Sequence, residues 1–217
     1  MPFVPRLEDA LDTVYFTADL HLGHKNIIKY CDRPFDNVEQ HDRLIIGNFN
    51  SVVKDTDTVY CLGDFTLGDN ETAYQYISRL KGKWVFLPGS HDRRLHPGSW
   101  MWCFDAIAAP TASGTWVTIE DSLVSLEFPT SNKDRLVVVL CHYAMRVWDR
   151  SHYGSYHLYG HSHGKLSLLW GRSMDVGIDV WDYYPVPLRT VITTLENMTN
   201  PNVVHNFVDA LRKGENE

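Results

Sequence analysis

The run Val14-Tyr15-Phe16-Thr17-Ala18-Asp19-Leu20-His21-Leu22-Gly23-His24 passes abruptly from apolar and β-branched residues to a tail that carries an acid and two histidines. A short apolar run stopped by turn residues reads as a buried strand. If the backbone stays extended past Thr17, Asp19 and His21 share a face, because side chains two apart do. Gly23 then lets the chain turn sharply. The expectation is a pair of metal-ligand-type residues delivered together at a strand's exit.

The same construction returns four times. Thr58 to Leu62 ends in Gly63-Asp64-Phe65, Lys83 to Leu87 in Pro88-Gly89-Ser90-His91-Asp92, Leu136 to Cys141 in His142, and Tyr156 to Tyr159 in Gly160-His161-Ser162-His163-Gly164. Two helical patterns separate the first three. Asn37 to Val53 spaces Val38, Leu44, Ile45, Phe49 and Val52 at near-helical intervals, and Asp69 to Leu80 offers Asp69 or Asn70 as N-cap with Gly82 just past its end. Strands alternating with helices predict a mainly parallel α/β core. From Phe104 the pattern becomes strand after strand, over Ala106 to Ala108, Thr115 to Ile119, Leu123 to Phe128 and Leu136 to Cys141, with turns at Gly114, Asp121 and Asn132. A second sheet is expected from these. Met174 to Val180 reads as a further strand, Pro185 to Thr194 as a continuation of the sheet, and Val203 to Leu211 as a short closing helix.

A chain of 217 residues with 44% hydrophobic content can bury a substantial core, and residues 1–217 read most simply as one domain. Its longest apolar run, Leu136 to Cys141, is too short to cross a bilayer, and Met1-Pro2-Phe3-Val4-Pro5-Arg6 holds no signal core, so a cytoplasmic protein without a membrane partner is expected. Cys31, Cys61, Cys103 and Cys141 are widely spaced and form no CxxC pair, which favours reduced thiols. A net charge of -7 without a Lys/Arg block argues against nucleic acid and anionic lipid as partners.

Ligands of open α/β sheets bind outside the carboxyl ends of the strands, so the five exits can converge on one cleft. Histidine and aspartate without cysteine suit Mn, Fe, Zn, Ni or Co, while Mg alone would want more oxygen. The donors overfill one coordination sphere, and an acid placed between two ions makes a two-metal site able to bind and hydrolyse a phosphate ester. His91 followed by Asp92 reads as a proton donor beside an orienting carboxylate. Singly, each of these blocks is an ordinary strand-ending turn or half-buried histidine. Their joint order carries the reading.

Asp19-x-His21, Gly63-Asp64, Gly89-Ser90-His91-Asp92, His142 and Gly160-His161-x-His163, in that order, resemble the five signature blocks of the calcineurin-like metallophosphoesterase superfamily. The strings Asp19-Leu20-His21-Leu22-Gly23-His24-Lys25-Asn26 and Trp181-Asp182-Tyr183-Tyr184-Pro185 also resemble a small bacterial and phage subgroup of phosphoesterases. The resemblance implies two facing mixed β-sheets flanked by helices, a four-layer α/β/β/α sandwich. It implies two divalent ions, Mn foremost, the first held by Asp19, His21 and His163, the second by His142 and His161, with Asp64 bridging. His91 would donate toward the leaving group with Asp92 setting its tautomer and orientation. Metal-bound hydroxide would attack phosphorus directly, with no covalent enzyme intermediate. The chain departs from the pattern at Ser90, a metal position where the superfamily has Asn; a neutral hydroxyl is the poorer ligand, so weaker binding of the second ion is expected.

His24, Asn26 and Arg146 are candidate contacts for substrate phosphate, Arg146 because a guanidinium matches phosphate geometry. Tyr143, Trp148, Trp181, Tyr183 and Tyr184 are candidates for stacking on a nucleobase or for plain packing. His41, His96, His152, His157 and His205 read as surface or structural residues. The leading expectation is a metal-dependent phosphoesterase acting on a small phosphate ester, cyclic nucleotides or other phosphodiesters before phosphomonoesters. Two alternatives stand beside it: a degenerate metal-binding or protein-interaction module, and a nuclease, whose chemistry fits but whose basic groove is missing.

Overall fold

The computed structural model describes residues 4–92, 117–166, 171–196 and 198. The expected strand Ala106 to Ala108 and helix Val203 to Leu211, together with His96, Cys103 and His205, lie outside the described residues.

Strands β1 (Val14–Thr17), β2 (Thr58–Cys61) and β3 (Lys83–Phe86) run parallel, with Val14 opposite Thr58 and Thr58 opposite Lys83. Their β-branched and aromatic residues suit a pleated surface that is buried on both sides. β4 (Val117–Ile119) extends the sheet parallel to β3, and β9 (Val186–Pro187) closes its other edge antiparallel to β1. The order is therefore β4-β3-β2-β1-β9. A second mixed sheet, β5-β6-β7-β8, pairs β5 (Leu123–Pro129) antiparallel with β6 (Arg135–Cys141), which runs parallel to β7 (Tyr156–Tyr159), itself parallel to β8 (Ser173–Asp175).

The two-residue period of the strands sorts their side chains. Phe16, Tyr60 and Val85 of the first sheet share one core with Phe128, Val138, Leu140 and Leu158 of the second. Their neighbours Tyr15, Val59, Cys61 and Trp84 point the other way, into a core with Ile45 and Phe49 of helix α3 (Val38–Val52) and Ala73 and Ile77 of α4 (Asn70–Ile77). Both helices are capped: Asn37 accepts from the Gln40 amide, and Asp69, one of the two caps expected for the second, from that of Thr72. The first three strands and two helices thus match expectation. Outside the second sheet, Val137 and Val139 pack on Trp148 and Met145 of the segment after β6.

Several expectations are corrected. Thr115 to Ile119 was assigned to the second sheet; Val117–Ile119 instead pairs with β3 in the first, Trp84 opposite Val117, where it covers an edge that would otherwise be bare. Met174 to Val180 is strand only through Asp175 and then turns as a 3₁₀ segment, Ile178–Val180. Pro185 to Thr194 contributes two strand residues to the first sheet before helix α5 (Leu188–Glu196) begins. Leu188, Val191 and Leu195, all buried, recur at helical intervals that the strand reading overlooked. Two short helices, α1 (Leu7–Ala10) and α2 (Lys25–Tyr30), were unexpected. In α3 the buried face is His41, Asp42, Ile45, Ile46 and Phe49, leaving Leu44 and Val52 exposed. Among the described residues, no helix is long and apolar enough to cross a membrane.

Phe16, fully buried between the sheets, and Leu44, exposed on α3, make a controlled comparison. Urea unfolding should show Phe16→Ala costing about 3–5 kcal/mol and Leu44→Ala within about 0.5 kcal/mol of the parent.

Candidate metal centre

The residues singled out at the strand exits do come together, but not through extended backbone. β1 stops at Thr17, and Asp19 and His21 have φ of 59° and 50°; Asp64, His161 and His163 have 55°, 64° and 48°. A left-handed non-glycine residue costs roughly 1–2 kcal/mol, so five in one place persist only where their surroundings over-determine them. The surroundings are visible. The loops after β1 and β2 continue to pair beyond the strands, Asp19 N donating to Gly63 O at 3.0 Å and His21 N to Asp64 O at 2.9 Å. From the second sheet, Gly177 bridges to Ala18 and the His161 amide donates to Asp19 Oδ2 at 2.8 Å. Two glycines permit this crowding: a Cβ at Gly89 would lie 2.4 Å from Asp64 Oδ1, and one at Gly160 would lie 2.6 Å from Asp19 Oδ2.

Two sets of ligand atoms result, each mutually within 4.8 Å: Asp19, His21 and His163, and Asp64, His142 and His161. Asp64 lies between them, its Oδ2 3.4 Å from His142 Nε2 and 3.8 Å from His21 Nε2. His142 Nδ1 faces Leu62 O at 2.7 Å, so it carries the proton and leaves Nε2 with a free lone pair. Asp19 Oδ1, His21 Nε2 and His142 Nε2 are buried without a hydrogen-bond partner. Buried polar atoms are nearly always paired; here two of the three, the imidazole nitrogens, face one anionic oxygen and the third belongs to the same ligand set as His21, a donor set that fits divalent cations.

Burial and mutual charge set the protonation of these groups. Burial holds the His21 ring neutral, its pKa driven down to about 3 although Asp64 pulls it up. Burial raises Asp19 to about 7 against the pull of His142 and His163. At Asp64 burial acts upward too, yet the His142 contact and the His91 amide keep the carboxyl below its usual range. His142 is raised, burial being outweighed by Asp64.

Around this core the remaining candidates separate. Ser90 Oγ donates to Asp64 Oδ2 at 2.9 Å, so the hydroxyl engages the shared carboxylate itself. His91 is half exposed, its Nε2 3.9 Å from Asp64 Oδ2. Asp92 does not orient that ring: its Oδ2 accepts from the Gly89 amide at 2.8 Å and the Asp64 amide at 2.6 Å. It is a buried backbone cap for the loops after β2 and β3, which corrects the orienting role expected of it. His24 joins the cluster, its Nδ1 3.5 Å from His21 Nδ1. Asn26 is an exposed residue of α2 and Arg146 an exposed residue of the segment after His142. Tyr143 is exposed and its ring lies 4.9 Å from those of both His142 and His161, whereas Trp148 is buried against His157 and is not available for stacking.

Sequence reasoning missed Arg33 and Asp179. Asp179 Oδ2 lies 2.7 Å from His163 Nδ1, and Arg33 grips both Asp179 oxygens at 2.8 Å. Their sequence signal was faint, an acid within the apolar run Met174 to Val180. Cys31, His163 and Asp179 form a third close set, but its carboxylate is already neutralised by Arg33. His157, expected to be structural, is so: Nδ1 meets Val139 O at 3.0 Å and Nε2 accepts from the Met145 amide at 3.1 Å, tying the His142 segment to β6.

No family model matches the chain. It is 46% identical over 82 residues to the uncharacterized protein MJ1445 of Methanocaldococcus jannaschii, a match covering 37% of this chain and about half (47%) of that protein. It is 30% identical over 196 residues to the Gene 66 protein of Mycobacterium phage L5, covering 79% of this chain and 88% of the phage protein. The chain belongs to the Gene 66 family. Within that family the protein of phage D29 is 25% identical over 207 residues, 86% of this chain and 98% of its own. The crystal structure of AQ665, a protein of unknown function from Aquifex aeolicus, superimposes with a TM-score of 0.56 at 20% identity, over 83% of this chain and 98% of that one, a likeness of fold.

Burial depresses the His157 pKa from 6.5 to about 4, so as pH falls the unfolded chain takes up this proton before the folded one does. Stability is therefore unaffected above the ordinary value and is lost between it and the folded one. At about 1.36 kcal/mol per unit, urea unfolding at pH 7.5 and 5 should show the parent losing about 2 kcal/mol more than His157→Gln.

Proposed function

We propose that this protein is a dinuclear-metal phosphoesterase of the calcineurin-like superfamily, acting on phosphodiesters, cyclic nucleotides included, with phosphomonoesters as the second class. One observation carries the proposal: the Asp64 oxygen sits between two ligand sets whose buried Asp19 Oδ1, His21 Nε2 and His142 Nε2 have no hydrogen-bond partner. Asp19, His21 and His163 would hold one ion and His142 and His161 the other, with Asp64 between. Two divalent ions, Mn foremost and Fe, Zn, Ni, Co or Mg otherwise, would offset the phosphate's charge and lower the pKa of water.

The chain's own residues do the rest. His91, half exposed and 3.9 Å from Asp64 Oδ2, would hand a proton to the leaving oxygen. Asp92 keeps the Gly89 and Asp64 amides aimed inward and so holds the shared carboxylate in place. Tyr143 and His24 flank the ligand sets and offer a ring face and a donor to the rest of the substrate. With the superfamily goes the four-layer α/β/β/α arrangement, for which α3 and α4 supply one outer layer. The free thiols Cys31, Cys61 and Cys141 fit a cytoplasmic setting.

A second reading, a metal-binding module with little turnover, is favoured by Ser90, whose hydroxyl is spent on Asp64 Oδ2. Hydrolysis of bis-p-nitrophenyl phosphate with and without Mn2+ separates the two. The enzyme reading expects metal-stimulated hydrolysis, a loss of about a hundredfold in Asp64→Asn, and a gain in Ser90→Asn. Metal binding without hydrolysis in either the parent or Ser90→Asn leaves the module.

A further inference from the structure

The two ligand sets are supported unequally. Arg33 is buried, and its guanidinium spends every nitrogen. Nε and Nη2 fork onto Asp179 at 2.8 Å each, Nη2 also donates to Asp19 O at 2.8 Å, and Nη1 donates to Leu20 O at 3.1 Å and meets His41 Nε2 at 2.7 Å. One side chain therefore grips both the left-handed segment that carries Asp19 and His21 and the carboxylate that faces His163 Nδ1 at 2.7 Å. Because Asp179 accepts at Nδ1, the His163 lone pair is held at Nε2, and the ring is fixed by a charge-assisted bond. The arrangement continues outward: His41 Nδ1 meets Asp42 Oδ1 at 2.7 Å, and Asp42 accepts from the Gly23 amide and from Tyr76 Oη at 2.6 Å. Gly23 lies in the same segment as Asp19 and His21, so that segment is anchored at both ends.

In the other set Asp64 is held by Ser90 Oγ and the His91 amide, but among the described residues no carboxylate stands behind its imidazoles. His142 is oriented by a neutral carbonyl, Leu62 O, and the exposed His161 ring is flanked by the His142 and Tyr143 rings.

From this asymmetry we infer that Arg33 and Asp179 are positioning residues that make the Asp19–His21–His163 site the tighter of two ion sites without touching the ion, an inference that rests on the function proposed above. A carboxylate behind a ligating histidine typically contributes ten- to a hundredfold to metal affinity. An Arg33→Lys change keeps the charge but cannot span Asp179 and the two carbonyls at once, because an ammonium lacks the planar fork.

The test counts ions rather than turnover. Metal-stripped full-length protein is titrated with Mn2+ and free Mn2+ is read by electron paramagnetic resonance, with folding checked by circular dichroism. The parent should bind in two classes. Asp179→Asn should weaken the tight class by on the order of ten- to a hundredfold and leave the weak class where it was. Arg33→Lys should act on the same class, and it carries the test should Asp179→Asn not fold. Ser90→Asn should move the weak class alone. Two ions bound by a folded variant with both classes unchanged, or both shifted alike, would overturn this inference and leave the proposed function standing. A parent that binds no Mn2+ would overturn both.

Discussion

Asp64 is a carboxylate removed from water at the point where the exits of β1, β2, β3 and β6 meet. Its Oδ1 accepts from the His91 amide at 2.8 Å, its Oδ2 accepts from Ser90 Oγ and faces the His142 and His21 rings, and its own amide donates to Asp92 Oδ2. A buried anion is costly unless charge and hydrogen bonds compensate it. Within the chain, the amide and the hydroxyl of one loop donate to it, and the imidazoles of two others face it at 3.4 and 3.8 Å. Moving any of these loops leaves the charge less satisfied, so the exits are coupled to one another through a single side chain.

Such a centre needs a scaffold that tolerates strain. Five left-handed residues and two glycine close approaches oppose folding locally. They are held because each loop leaves a strand whose residues are buried on both faces, in one core shared by the two sheets and another beneath α3 and α4. The sheets meet beyond β1 and β8, where Ala18 bridges to Gly177, so Asp and His side chains from both come together. Rigid strands with functional groups on the loops that follow them are the general solution for placing chemistry on an α/β framework.

Ser90 acquires a specific meaning in this setting. A serine hydroxyl at that position donates to Asp64 Oδ2, adding stabilisation to the anion from inside the chain and drawing on the lone pairs that a second cation would use. The same hydroxyl therefore favours the folded centre and would compete with a cation for that oxygen. The Arg33–Asp179 clamp supports the other ligand set, so the two sets are held in place by different means.

The local sequence determined the first three parallel strands, the helices α3 and α4 with the cap of the latter, and the polar residues at each exit, because burial on both faces and hydrogen bonding of helix ends leave short-range patterns. Ordered Asp and His blocks also marked the residues that folding brings together. Three things were decided only by tertiary structure. Asp19 and His21 converge through left-handed turns rather than an extended strand, since cross-loop pairing with Gly63 and Asp64 sets their backbone. Asp92 caps amides and does not orient His91, since its partners come from two different strand exits. Arg33 and Asp179, 146 positions apart, become a clamp only when folding buries them together; a charge that is ordinary in sequence acquires its role when the low dielectric around it makes one partner obligatory.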